Sequence, residues 1–357
     1  MTKQSWAQIL AVIRLELRKT FFARRGLWVY LLAFAPAALF LVHSIYAPRN
    51  HARMSRMSEG HVVSSEALRS IQVGLSQEKV LEKLGEPYIR NTGRMRQEGI
   101  RGDTYFRYTD GRVQVGILIM KGKVAHISRM APDTVEESSL IFATIFQFFY
   151  LRLAIFFGCV GIFMNLFRGE MLDKSLHFYL LTPIRREALL AGKYLAGLLA
   201  TVVIFTASTA LQFGAMLLEF DHATIADYFD GTGWGQFISY LGVTVLACVG
   251  YGSGFVAAGM FFRNPIIPAA VVLIWESANL FLPAALKKIS LIFYLQSLCP
   301  VVAAPDMDMP LAWKLLIATA TPPGKVAAIS GVLILTLIIL VVAAFRARKL
   351  EINYSTD

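Results

Sequence analysis

The chain has 357 residues, 56% of them hydrophobic, and a mean hydropathy of +0.54. That is more apolar than a water-soluble globular protein of this length, so an ordinary soluble enzyme is excluded. A formal net charge of +11 would suit a nucleic-acid partner, but the basic residues gather at the ends of apolar stretches, where anionic lipid headgroups account for them.

Residues 1–26 form a basic leader. Trp6, Ile9, Leu10, Ile13 and Leu17 recur at helical spacing, with Arg14, Arg18 and Lys19 between them. The pattern predicts an amphipathic interfacial helix lying flat in the headgroup layer; a plain basic anchor is the alternative. Span one is expected over 27–46. Its long basic leader, and Pro48 just after the small-residue cleavage point, read as an uncleaved anchor and not as a secretory signal.

At Ala47 the composition turns polar and stays so to Ser139, enough chain for a small α+β domain over 47–139. Ser76 to Leu84 reads as a helix that Ser76 can cap, with Val80, Leu81 and Leu84 on one face and a stop at Gly85 to Pro87. Strands are expected over 104–108, 113–119 and 124–127. The dipeptides Asp110-Gly111 and Lys121-Gly122 separate them and suit tight turns. The expected unit is a helix on a three-stranded antiparallel meander.

Span two is expected over 140–166, span three over 188–218 and span four over 237–262, each near the roughly 20 residues that a bilayer requires. Span five, over 267–298, is expected to be broken or re-entrant, because Pro265, Pro268 and Pro283 bracket its first half. Span six covers 326–345 and a tail 346–357 follows. The fold class is therefore an α-helical integral membrane protein of six transmembrane helices with an inserted α+β domain. Lys and Arg flank the first and last spans and lie at Arg168, Arg185, Arg186 and Lys193, whereas the loop after span three carries Glu219, Asp221, Asp227 and Asp230. By the positive-inside rule both termini and the segment 167–187 are cytoplasmic, which puts 47–139 on the far side.

The segment 167–187 is too polar for hydrocarbon and reads as a structured hinge. Glu170, Asp173, Lys174 and His177 fall three or four apart, with Leu172, Leu176, Tyr179 and Leu180 between them, as in a short amphipathic helix. Thr182 can cap a helix that starts at Pro183, a favoured pairing because a first position needs no N–H. A mere connecting loop is the alternative. Inside the spans, Arg152 and Glu276 are ionisable groups at depth, which usually face the bundle interior and pair or touch water. At 1.5 Å per residue they stand roughly 21 Å and roughly 13 Å from the cytoplasmic ends of their spans, so a pair would need a tilt or a broken helix. They are expected to pair or to line one polar patch, which Gln147 and Asn279 join. Gly250 and Gly254 make a small-xxx-small face for helix packing.

No phosphate loop, zinc-protease motif or nucleophile elbow occurs in the sequence. The six histidines have no metal-ligand spacing, and Cys159, Cys248 and Cys299 make no disulfide framework. No catalytic residue, metal or cofactor is expected in this chain.

Two resemblances follow from quoted residues. Ile71, Gly74, Leu75, Ser76, Val80, Leu84, Gly85, Pro87 and Gly122-Lys123-Val124 resemble the SmpA/OmlA-type domain of small lipoproteins that assist outer-membrane assembly. That likeness implies a helix-on-sheet fold that binds an envelope protein, or else a rigid spacer. Glu170, Leu180, Leu181, Thr182, Pro183, Arg186, Gly192 and Lys193 resemble the ABC type-2 exporter permease family, with Lys174-Ser175-Leu176 standing where Gly-Thr-Leu is common. This second resemblance implies a permease half in a bacterial inner membrane. It would pair with a second copy or sister permease and be driven by ABC ATPase subunits that bind ATP and Mg and dock on 167–187, with Glu170, Asp173, Lys174, Leu176, His177, Leu181, Thr182, Pro183, Arg185 and Arg186 as coupling residues. Membrane lipid is a further partner and nucleic acid is not. A membrane-anchored scaffold that acts through its exported domain is the alternative reading.

Overall fold

The computed structural model describes residues 3–22, 26–57, 61–92, 104–110, 114–130, 134–172, 185–262, 266–303 and 321–348. The chain divides into two compact units, one of Met1–Leu41 with Ser139–Asp357 and one of Val42–Ser138. The boundary falls within helix α2 (Leu27–Met57), which follows α1 (Lys3–Phe22).

The Val42–Ser138 unit carries α3 (Ser65–Arg69), α4 (Gln77–Leu84) and strands β1 (Ile89–Thr92), β2 (Thr104–Thr109), β3 (Gln114–Met120) and β4 (Lys123–Met130). The strands form one antiparallel sheet in the order β1-β2-β3-β4. This corrects the expected three-stranded meander, since β1 adds a fourth strand at the edge. Alternation builds the core: Phe106 and Tyr108 from β2, and Val115, Ile117 and Ile119 from β3, face Leu68, Ile71, Val80 and Leu84. Ser76 occupies the N-cap position of α4, but its side chain makes no capping bond. Instead Gly74 donates to the Val124 carbonyl at 2.7 Å and Val124 to that of Leu75 at 2.8 Å, fastening the start of α4 to β4. The turn at Lys121-Gly122 has φ of 50° and 76°, the paired positive values that a two-residue hairpin requires. The expected Asp110-Gly111 turn lies partly outside the described residues.

Among the described residues five helices are long and apolar enough to cross a membrane: Leu27–Tyr46, Val135–Leu166, Arg186–Leu217, His222–Phe261 and Lys325–Arg348. The second runs through α5 (Val135–Ile145), a π-helical stretch Phe146–Ile155 and α6 (Phe156–Leu172). Helix α7 (Arg186–Leu217) follows, then α8 (His222–Tyr228), a π-helical turn and α9 (Trp234–Phe261). The stretch read as span five is in pieces. Helix α10 (Ile266–Ser277) has 12 residues and leads through a 3-10 turn to α11 (Ala284–Lys287) and α12 (Leu291–Ser297). At 1.5 Å per residue α10 covers about 18 Å, too little for the hydrocarbon core. Helix α13 (Lys325–Arg348) is last.

Lipid tails give packed spans no hydrophobic driving force, so close fit and interhelical hydrogen bonds hold them. The Ser208 hydroxyl donates to the Ala33 carbonyl at 2.6 Å, Tyr150 to that of Phe205 at 2.7 Å and Tyr194 to that of Val249 at 3.0 Å. Gly250 sits against Leu291, but a Cβ at Gly254 would meet nothing within 4 Å, so the expected Gly250–Gly254 packing face is only half used within this chain. At Gly259 two helix backbones approach closely, since a Cβ there would stand 3.2 Å from the Met164 carbonyl oxygen. Gly259→Val should therefore lower thermal stability in detergent by about 1–3 kcal/mol through overpacking, and Gly254→Val should leave it near wild type; melting both variants in parallel checks this.

Candidate functional site

The hinge residues Asp173, Lys174, Leu176, His177, Leu181, Thr182 and Pro183 lie outside the described residues, and Glu170 stands in the last turn of α6. Helix α7 does not begin at Pro183. Arg185, at its N-cap position, is extended with φ −65° and ψ 130°, and the helix starts at Arg186. The extended residue separates the Thr182-Pro183 pair from span three.

Just inside this start lies a charged contact that the sequence reading missed. Lys193 and Glu16 are both buried, and the Lys193 Nζ donates to Glu16 Oε1 at 2.6 Å and to the Leu166 carbonyl at 2.8 Å. One ammonium thus joins the leading helix, the end of span two that leads into 167–187 and the beginning of span three. Gly192 makes the approach possible, because a Cβ there would stand 2.8 Å from Val12 Cβ and 3.3 Å from the Ile9 carbonyl oxygen. Gly197, one turn on, fits against Phe163 and Leu166 in the same way. The face of α1 turned to the protein is Ile9, Val12 and Glu16, all buried, while Trp6 and Leu10 are exposed. A signal for Glu16 was present: it is the one acid among residues 1–26 and lies four residues after Val12 and seven after Ile9, on the same helix face.

A second tie lies at the surface. Arg186 Nη1 donates to the Arg348 carbonyl at 2.7 Å, and the Arg348 side chain pairs with Glu187. Both partners of that ion pair are more than half exposed, 61% and 51%, so it adds little stability, about 0–1 kcal/mol. Its role is to place the end of α13 beside the start of α7. The Arg185 carbonyl accepts from Leu189 N at 3.0 Å, while its exposed side chain makes no hydrogen bond or ion pair among the described residues.

Inside the spans, Arg152 and Glu276 form no direct salt bridge but stand within electrostatic reach of one another, so of the two expected arrangements, a pair or one shared polar patch, the direct pair is not seen. The Glu276 carboxylate is taken up by the chain that folds back after Pro283: it accepts from Ser290 Oγ at 2.9 Å, Leu291 N at 3.0 Å and Ile292 N at 2.8 Å. It therefore satisfies the first N–H groups of α12, which no residue of that short helix can reach. Gln147 donates to the Val301 carbonyl at 2.7 Å, pinning the segment after α12 to span two. Arg152 and Asn279 are buried in the same region. Cys159, Cys248 and Cys299 are buried free thiols, and no group of side chains among the described residues is arranged to hold a metal.

A family model described as "ABC-2 family transporter protein" matches residues 10–350. No curated protein and no solved structure matches the chain.

Removing one half of a buried ion pair leaves the other charge unpaired and costs about 3–5 kcal/mol. Glu16→Leu or Lys193→Met alone should therefore lower the melting temperature sharply, and the double variant should recover much of the loss. A double-mutant cycle in detergent reads this out; additive losses would show that the two charges act separately.

Proposed function

The chain belongs to the ABC-2 transporter family, and on that premise we propose that it is the permease subunit of an exporter for a hydrophobic or amphipathic molecule. Members of this family are the transmembrane and not the catalytic components of their transporters, and the family implies an ABC ATPase as partner. In our reading that ATPase is a separate polypeptide that binds ATP and Mg and docks on residues 167–187. The cargo leaves the cytoplasm or the inner leaflet of a bacterial inner membrane, and both termini face the cytoplasm.

The Lys193 junction carries this reading. A load applied at 167–187 reaches the cytoplasmic ends of spans two and three together, since both are bound to one ammonium, and α1 moves with them through Glu16. Span one follows through the Ser208–Ala33 contact. A passive anchor has no use for such a linkage. The exposed apolar side chains Leu333, Ile334, Leu337 and Ile338 of α13 suit lipid or a second copy or sister permease.

For the Val42–Ser138 unit we propose an SmpA/OmlA-like module outside the cytoplasm that contacts an envelope protein. Three motif glycines support it: Gly74, Gly85 and Gly122 have φ of 94°, 73° and 76°, a region that other residues avoid. The two motif halves are also bonded to one another, through Gly74–Val124 and Gln77–Gly122.

The test is purification of the tagged chain from its native membrane in mild detergent, with bound proteins identified by mass spectrometry. A phosphate-loop ATPase should remain bound, and Arg185→Glu should reduce its recovery roughly tenfold, as expected when one exposed charge at a docking rim is reversed. Arg185 is the choice because Arg186 already serves the α13 contact. Envelope proteins with no ATPase would overturn the permease reading and favour a scaffold acting through Val42–Ser138.

A further inference from the structure

Span two changes from α- to π-helical pairing over Phe146–Ile155, and such wide turns occur frequently at functional sites. Arg152 lies within this stretch, 9% exposed. Its Nη1 donates to the Ser277 carbonyl at 3.5 Å, and its guanidinium carbon stands 5.5 Å from the centre of the Phe148 ring. These contacts hold the group and leave its Nε and Nη2 with no hydrogen-bond partner among the described residues. Those two nitrogens share one edge of the guanidinium, and their parallel N–H bonds form the fork that meets both oxygens of a carboxylate or phosphate.

Two buried groups of this region with N–H or O–H to give have no close hydrogen-bond acceptor among the described residues, the Asn279 amide nitrogen and the Tyr251 hydroxyl, the latter lying near the Glu276 carboxylate. Tyr251 lies within electrostatic reach of Arg152, and Asn279 follows by two residues the Ser277 carbonyl that Arg152 touches. Glu276 is the nearby acid, but Ser290, Leu291 and Ile292 already occupy its oxygens. Glu276 lies within electrostatic reach of the guanidinium but makes no direct bond to it, so the Nε and Nη2 edge is left without an acceptor, a cost that an arriving oxyanion would relieve. Tyr251 itself belongs to an aromatic cluster: Phe156 packs edge-on against Tyr251 and Phe255, with ring centres 5.4 and 4.9 Å away.

We propose that Arg152, with Tyr251 and Asn279, forms an intramembrane binding site for the oxyanion headgroup, carboxylate or phosphate, of an amphipathic molecule. The fork takes the oxygens, Tyr251 and Asn279 complete the shell, and the aromatic cluster accepts the beginning of the tail. This deepens the exporter reading by naming the chemical class of its cargo, and it rests on that reading only for the word cargo. Binding itself needs no ATPase.

The experiment uses the full chain in mild detergent, titrated with dihexanoyl phosphatidic acid, decanoate, inorganic phosphate and uncharged dihexanoylglycerol. Affinity and thermal shift are read together. Phosphatidic acid or decanoate should stabilise the protein, inorganic phosphate should bind more weakly, and dihexanoylglycerol should do neither. Arg152→Lys keeps the charge but loses the fork and should weaken binding about 10- to 100-fold, in line with lost hydrogen bonds to a charged group. Tyr251→Phe removes a single hydroxyl with little risk to folding and should weaken it about 3- to 10-fold. Equal binding of the uncharged amphiphile, no binding of either anionic one, or unchanged affinity in both variants would overturn the site. Inorganic phosphate binding as tightly as phosphatidic acid would overturn the amphipathic assignment. ATPase recovery from the same preparations reports separately on the exporter reading, so the two can fail independently.

Discussion

One buried ammonium organises the ends of spans two and three that flank residues 167–187. Lys193 is fully buried, and a cation in that position persists only with close partners. It finds Glu16, 177 positions away in sequence, and the Leu166 carbonyl. The neighbouring requirement is steric. With any side chain at residue 192, the leading helix could not come near enough for Glu16 to reach, because Val12 already lies 2.8 Å from where a Cβ would stand. Glycine and lysine at 192 and 193 are thus one device, in which the first opens the space that the second fills with a charge. Helix α1 is in consequence part of the protein's packing through Ile9, Val12 and Glu16, and leaves Trp6 and Leu10 exposed on its other face.

Higher in the spans polar groups follow a different rule. Most find carbonyls on a neighbouring helix, as Tyr150, Tyr194 and Ser208 do, or pair with one another, as the Thr209 and Thr244 hydroxyls do at 3.0 Å. Glu276 does more: with no water in hydrocarbon to meet the first N–H groups of α12, its carboxylate serves in water's place. The break at Pro283 is tolerable because this acid, from the helix before the break, satisfies the chain after it. Arg152 departs from the rule and keeps its fork unspent.

The amino-acid pattern made the apolar stretches, the polar insertion and its hairpin at Lys121-Gly122 legible, since those depend on length, periodicity and turn chemistry. What the pattern does not show depends on tertiary contacts. Strand β1, with sequence IRNT, is an edge strand with a neighbour on one side only, so little burial marks it in the sequence. Arg152 and Glu276 stand out in the sequence as ionisable groups at depth, but the fold-back that brings Ser290 to Glu276 is tertiary. Gly254 shares the spacing of a packing face with Gly250, yet only Gly250 meets a neighbour, since α12 supplies Leu291 at one level and nothing at the other. Glu16 was visible as a lone acid in a basic segment; its partner could be named only once α1 was seen against α7.

The wide turns of span two set a reading frame for side chains. In an α-helix each residue advances the direction of its side chain by about 100°, so inserting one residue rotates everything beyond it by that much. A π-helical stretch absorbs an added residue locally, by pairing each N–H one position further back. The ten residues Phe146–Ile155 therefore let the two ends of the span keep separate phases: the end at Val135 can change which face it shows without turning Phe163 and Leu166 away from Gly197. Such a helix can take on a new lining midway while its other end stays in register with the Lys193 junction.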